Sequence, residues 1–104
     1  MHVANDGGTL WILGYKTEGG GTLLETTGGG RTEVLGGFSY TVGQSLPDPM
    51  FVVNNARASF TFSEVCFTDK PFQTIVAETR GGQTKTLSHN DPSWQRQLTL
   101  LTAE

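Results

Sequence analysis

The stretch Glu25-Thr26-Thr27-Gly28-Gly29-Gly30-Arg31-Thr32-Glu33-Val34-Leu35 reads as strand, glycine turn, strand. It returns near the other end of the chain as Glu78-Thr79-Arg80-Gly81-Gly82-Gln83-Thr84-Lys85-Thr86-Leu87. A recurring unit of this kind is the mark of a solenoid, in which each repeat buries its apolar face only against the next. A weaker third copy, Phe51-Val52-Val53-Asn54-Asn55-Ala56-Arg57-Ala58-Ser59-Phe60, lies between the two. Matching Glu25, Asn54 and Glu78 gives offsets of 29 and 24 residues, uneven as in coils whose loops vary while their strands stay in register.

That alignment predicts columns. Thr22, Leu24 and Thr26 stack on Phe51, Val53 and Asn55, and these on Ile75, Ala77 and Thr79, to form the inward face. Side chains alternate along a strand, so Leu23, Val52 and Val76, and with them Glu25, Asn54 and Glu78, are expected outside. A second strand precedes each of these. Trp11-Ile12-Leu13-Gly14-Tyr15 resembles Glu33-Val34-Leu35-Gly36-Gly37-Phe38, 22 residues on, and Ser59 to Phe67 is the third and most strictly alternating member. Glycine clusters and Leu46-Pro47-Asp48-Pro49 supply turns, through positive φ for Gly and fixed φ for Pro.

The predicted fold is therefore all-β: a small parallel β-helix of about three coils. An antiparallel β-sandwich of the jelly-roll kind, which short strands and Gly/Pro turns also permit, is the alternative. The 104 residues form a single domain over 1–104, with coils at 8–90 and a C-terminal cap at 91–104. In that cap Trp94 and Leu98 are expected to cover the last coil, as a strand or irregular segment in preference to a helix capped at Asp91-Pro92.

Composition narrows the function classes. Fourteen glycines and only 36% apolar residues suit a turn-rich β protein. A net charge of −3 from singly scattered residues leaves no electrostatic footprint for nucleic acid or an anionic membrane, so neither is an expected partner. No run approaches the ~18 apolar residues of a spanning helix, and the N-terminal residues lack the basic and apolar regions of an export signal. Cys66 is the one cysteine, read as a buried core residue beside Phe60 and Phe62 by alternation.

Candidate chemistry is sparse. At ~4.8 Å per strand, Glu25 and Glu78 in one column would stand about 10 Å apart, near the upper limit for the paired carboxylates of an inverting glycosidase. Any two acids in a solenoid column fall at such multiples, so the same pattern reads as solvated glutamates. Glu33 and Glu64 extend a conceivable acidic stripe. Arg31, Arg57 and Arg80 occupy successive turns and suit an anionic glycan or simple pairing with the glutamates. Ser88-His89-Asn90-Asp91 holds the residue types of a triad, but triad members meet in space and not as neighbours, so the segment is read as a turn. His2 and His89 have no partners at zinc spacing, and the glycine triplets lack the sequence of a phosphate loop. No cofactor, metal site or catalytic residue is assigned.

Trp11, Tyr15, Phe38 and Tyr40 are read on one side of the coils, where a flat ring offers a sugar its apolar face. The residues assigned to carbohydrate binding are Glu25, Asn54, Glu78, Tyr15 and Tyr40.

Through Leu10-Trp11-Ile12-Leu13-Gly14-Tyr15-Lys16-Thr17-Glu18, the segment Glu25 to Gly37 and Val76-Ala77-Glu78-Thr79-Arg80-Gly81-Gly82, the chain resembles the C-terminal coils of the pectate lyase superfamily. This includes proteins described as related to glycoside hydrolase family 28. The resemblance implies a right-handed parallel β-helix, a polysaccharide theme and a secreted or surface setting, without the central coils on which such enzymes carry their catalytic residues. An end piece of this kind leaves strand edges open, which predicts self-association through Leu10, Trp11 and Ile12. The expected function is a self-associating, carbohydrate-binding, non-catalytic module. A polysaccharide lyase or glycosidase and a purely structural scaffold are the alternatives.

Overall fold

Tight turns with left-handed residues form three stacked corners in the computed structural model, which describes residues 2–18, 20–41, 48–66, 71–92 and 97–102. The strands are β1 (Val3–Asp6), β2 (Thr9–Glu18), β3 (Leu24–Thr27), β4 (Arg31–Thr41), β5 (Phe51–Asn54), β6 (Arg57–Cys66), β7 (Thr74–Arg80), β8 (Gln83–Ser88) and β9 (Gln97–Thr102). They build two sheets, ordered β1-β3-β5-β7-β8 and β2-β4-β6-β9, and the chain alternates between them as far as β7. Pairing is parallel except at the far edges, where β8 runs antiparallel to β7 and β9 antiparallel to β6. Among the described residues there is no helix, and so none long and apolar enough to cross a membrane.

The turns lie one over another and share backbone hydrogen bonds. Gly7 N–H donates to Thr27 O (2.9 Å), Gly29 N–H to Asn55 O (2.9 Å) and Asn55 N–H to Thr79 O (2.8 Å). On the exit side Arg31 N–H donates to Gly8 O (2.8 Å) and Arg57 N–H to Gly30 O (3.0 Å). Each of these three corners contains a left-handed residue. Gly7, Gly28 and Gly29 have φ of 79°, 62° and 75°, and Asn55, at 48°, takes the same role in the third turn, being one of the few L-residues that tolerate it.

As predicted, β3, β5 and β7 are adjacent parallel strands, but the columns differ from those expected. Glu25 pairs with Val52 and that with Ala77, Thr27 with Asn54 and that with Thr79, and Glu78 with Val53. The expected column of Glu25, Asn54 and Glu78 does not form. The register is fixed by the turns, whose lengths differ between Gly28-Gly29-Gly30 and Asn55-Ala56, and not by matching glutamates. Asn55 is exposed in its turn instead of facing inward. Leu23 and Val76, expected outside, are buried. In β7 the ladder to β8 shifts between Thr74 and Val76, and this irregularity puts Ile75 and Val76 both in the core.

Two further differences lie at the ends. A strand-turn unit begins already at Val3, ahead of the expected start of the coils at residue 8. The Arg80-Gly81-Gly82-Gln83 copy does not pass to the other sheet, because φ of 56° and 82° at its two glycines closes a two-residue hairpin that turns β8 back along β7. At the C-terminus the strand reading holds for Leu98, which lies in β9 opposite Phe62. Trp94 and the Cys66 side chain lie outside the described set. In the second sheet the 22-residue match is the true register: Trp11 pairs with Glu33, Ile12 with Val34 and Leu13 with Leu35.

Inward residues of both sheets make one core. The Phe51 ring stacks on Phe60 with centroids 4.0 Å apart and meets Phe62 edge-on at 5.0 Å. Burial of each such side chain contributes about 1.5–3 kcal/mol. Gly37 is buried directly against Phe62, whose ring occupies the space a Cβ would need. Gly37→Ala should lower stability to urea by about 1–3 kcal/mol through overpacking. In a double mutant with Phe62→Leu the combined loss should be smaller than the sum of the two, because the clashing ring is gone.

Candidate functional site

Alternation along β2, β4 and β6 gives the second sheet an inner face of Ile12, Val34, Phe60 and Phe62 and an outer face of quite different character. A glycine bulge interrupts both β2 and β4, at Gly14 (φ 77°) and Gly36 (φ 79°), and the register between β4 and β6 shifts between Leu35 and Gly37. The inserted residue reverses the parity of the rest of the strand. Before the bulge Trp11 and Leu13 point outward, each 74% exposed, with Leu35 beside Leu13 at 44%. Beyond it Lys16, Phe38 and Tyr40 are outward while Tyr15 faces in.

The outer face carries large apolar groups on its three parallel strands. Phe38 and Tyr40 meet edge to face at 4.6 Å and 88°, and Lys16 Nζ lies 5.2 Å from the Tyr40 centroid, within cation-π range. Lys16 also lies 3.8 Å from Glu18. Arg31 and Arg57, paired in register and exposed, border the face at the turn end.

The residues assigned to carbohydrate binding do not come together. Glu25 is half-buried in the first sheet. Asn54 is exposed at the end of β5, its Oδ1 accepting from Asn55 Nδ2 at 2.9 Å. Glu78 accepts from Arg80 Nε at 3.0 Å and Nη2 at 2.7 Å, and the same guanidinium donates to Ala56 O, so Arg80 leaves the expected arginine stripe to cap the third turn. Tyr15 turns inward and donates to Leu23 O at 3.1 Å. Burial raises the pKa of its hydroxyl above the ordinary value of 10.0. Tyr40 alone of the set lies on the outer face of the second sheet. Among the interface candidates, Trp11 points outward, whereas Leu10 and Ile12 are half-buried against the core.

A buried polar row escaped the sequence reading. Thr17, Ser39 and Glu64 are register neighbours across β2, β4 and β6, all facing inward and each less than a tenth exposed. Glu64 Oε2 accepts from Phe72 N–H at 3.1 Å. Its Oε1 lies 3.6 Å from His89 Nδ1. Among the described residues, Thr17 Oγ1, Ser39 Oγ, Glu64 Oε1 and His89 Nδ1 find no hydrogen-bond partner. Parity along Phe60, Phe62 and Glu64 was the available signal that Glu64 points in. The expected turn at residues 88–91 forms, closed by Asp91 N–H donating to Ser88 O, and it delivers His89 to this carboxylate. Among the described residues no group of three or more His, Cys, Asp or Glu is placed to hold a metal ion.

No family model matches the chain, and neither does any curated protein or solved structure.

The buried groups set two measurable effects. Glu64→Gln keeps an oxygen for Phe72 N–H and supplies a donor toward His89, so it should raise the denaturation midpoint. Glu64→Leu should lower stability by about 1–3 kcal/mol by orphaning the amide. Because the Tyr15 pKa is higher folded than unfolded, its contribution is complete below the unfolded value of 10.0 and is lost as pH rises through the folded one. Urea titrations above that value should show an alkaline loss of stability that is smaller in Tyr15→Phe.

Proposed function

We propose that the chain is a non-catalytic right-handed parallel β-helix module that self-associates and binds a polysaccharide along the outer face of its second sheet. The observation that carries this reading is the exposure of Trp11, Leu13 and Leu35 beside the Phe38–Tyr40 pair, on a sheet whose core is already filled. Rigid flat rings at strand spacing offer sugar rings an apolar platform at little ordering cost. Stacked turns and strands that alternate between two mostly parallel sheets support the β-helix, as does the resemblance to the pectate lyase superfamily, which also supplies the polysaccharide theme.

The placement of the carboxylates favours binding over catalysis. Glu64 is buried, Glu78 is held by Arg80, and Glu25 and Glu33 belong to different sheets, so the four reach separate surroundings and not one open space of glycosidase dimensions. Affinity electrophoresis through gels containing soluble acidic and neutral polysaccharides should retard the protein in at least one of them. Phe38→Ala with Tyr40→Ala should weaken the apparent affinity by about tenfold or more, the loss of two stacking rings. Absence of retardation in every gel would remove the binding claim, and an unsaturated product released by the protein and lost in Glu25→Gln would replace it with a lyase.

A further inference from the structure

The two ends of the sheet stack are finished differently. At the far end each sheet closes with an antiparallel strand, and β8 there presents exposed Gln83, Thr84, Lys85 and Thr86, the polar and charged dressing that discourages edge pairing. At the near end β1 and β2 are the outer strands, and β2 carries Leu10-Trp11-Ile12-Leu13 in succession with no proline or charge among them. The inward residues of this end, Val3, Leu10, Ile12 and Tyr15, are only partly buried against the core, while those of β3 to β6, such as Leu24, Val34, Phe51 and Phe60, are wholly buried. An edge with these features is a template for another strand.

From this edge we infer that β2 pairs antiparallel with β2 of a second copy of the chain, about a two-fold axis between Leu13 and Gly14. This deepens the self-association proposed above and rests on it. In this register Thr9 opposes the partner's Glu18, Leu10 the partner's Thr17, Trp11 the partner's Lys16 and Ile12 the partner's Tyr15. Every pair matches outward with outward or inward with inward residues, because the bulge falls at the axis, where Leu13 opposes the partner's Gly14. The irregularity that breaks alternation within one strand thus restores it across the pair.

Charge complementarity supports the same register. The partner's Lys16 lands on the face of Trp11, whose own register neighbour in β4 is the half-buried Glu33. The partner's Glu18 lands at Thr9, whose neighbour is the exposed Arg31. Each copy thus places a cation against an aromatic ring backed by a carboxylate, and a carboxylate beside an arginine. The contacts given up are the exposed Lys16–Glu18 pair at 3.8 Å, with side chains 65% and 67% accessible, and the approach of Lys16 Nζ to the Tyr40 ring at 5.2 Å, both weak at an exposed position. Being isologous, the pairing closes at two copies and does not propagate into a fibre.

Light scattering on the whole chain should give twice the monomer mass at micromolar concentration. Trp11→Lys, which sets lysine against the partner's Lys16 at a position 74% exposed, should give the monomer, and Trp11→Lys with Lys16→Glu should restore the dimer. Under mild oxidation Leu13→Cys, next to the axis, should form a disulfide-linked dimer in high yield, and Leu35→Cys, one strand further in, should not. A wild-type monomer would overturn both the pairing and the self-association it rests on. A dimer that survives Trp11→Lys, or one that forms no disulfide at residue 13, would overturn this pairing alone.

Discussion

Hydrogen bonds passing from turn to turn set the register of everything else in this fold. Once Gly29 N–H is bonded to Asn55 O and Asn55 N–H to Thr79 O, the strands on either side of each corner are aligned within both sheets at once. A one-residue slip would place the side chains of a whole strand on the wrong face. Such corners admit only residues that tolerate a left-handed backbone, which explains how a glycine-rich sequence with a modest apolar content specifies a single arrangement. Gly30 fits as closely as it does because an added Cβ would stand 3.0 Å from Thr27 O and 3.1 Å from Gly7 N.

Packing depends on that alignment. Phe51, Phe60 and Phe62 meet between the sheets because the corners bring β5 and β6 into step, and Gly37 leaves room for the Phe62 ring. Polar groups close the core at the turn end: Asn5 Nδ2 donates to Arg31 O and Thr32 Oγ1, each at 3.0 Å, and Thr32 Oγ1 lies 2.7 Å from Thr26 Oγ1. At the opposite end of the strands the row of Thr17, Ser39 and Glu64 is incompletely satisfied among the described residues, a cost that a packed apolar row would avoid. The Glu64–His89 contact ties the turn after β8 to the second sheet.

The strand-turn unit, its repetition and the parallel adjacency of β3, β5 and β7 were legible in the sequence because glycine turns and apolar alternation are local signals. Aligning on Glu25 and Glu78 misplaces the columns, since identical residues carry no register when turn lengths differ. Strand β1 escapes notice because Val3-Ala4-Asn5-Asp6 is short and half polar. Simple alternation puts Tyr15 with Trp11, and only the left-handed Gly14 reverses it. The meeting of Glu64 with His89 depends on β8 reversing along β7, a tertiary event decided by two glycine dihedrals, so nothing near either residue announces it.

Amide hydrogen exchange measured residue by residue by NMR tests the stacked corners most directly. Exposed turns ordinarily exchange fast, whereas turns bonded to one another should be protected like strands. The amides of Gly29, Asn55 and Arg57 should exchange as slowly as those of Val34 and Phe60. Exchange of these corner amides at the rate of free loop amides, with the strands still protected, would contradict the account.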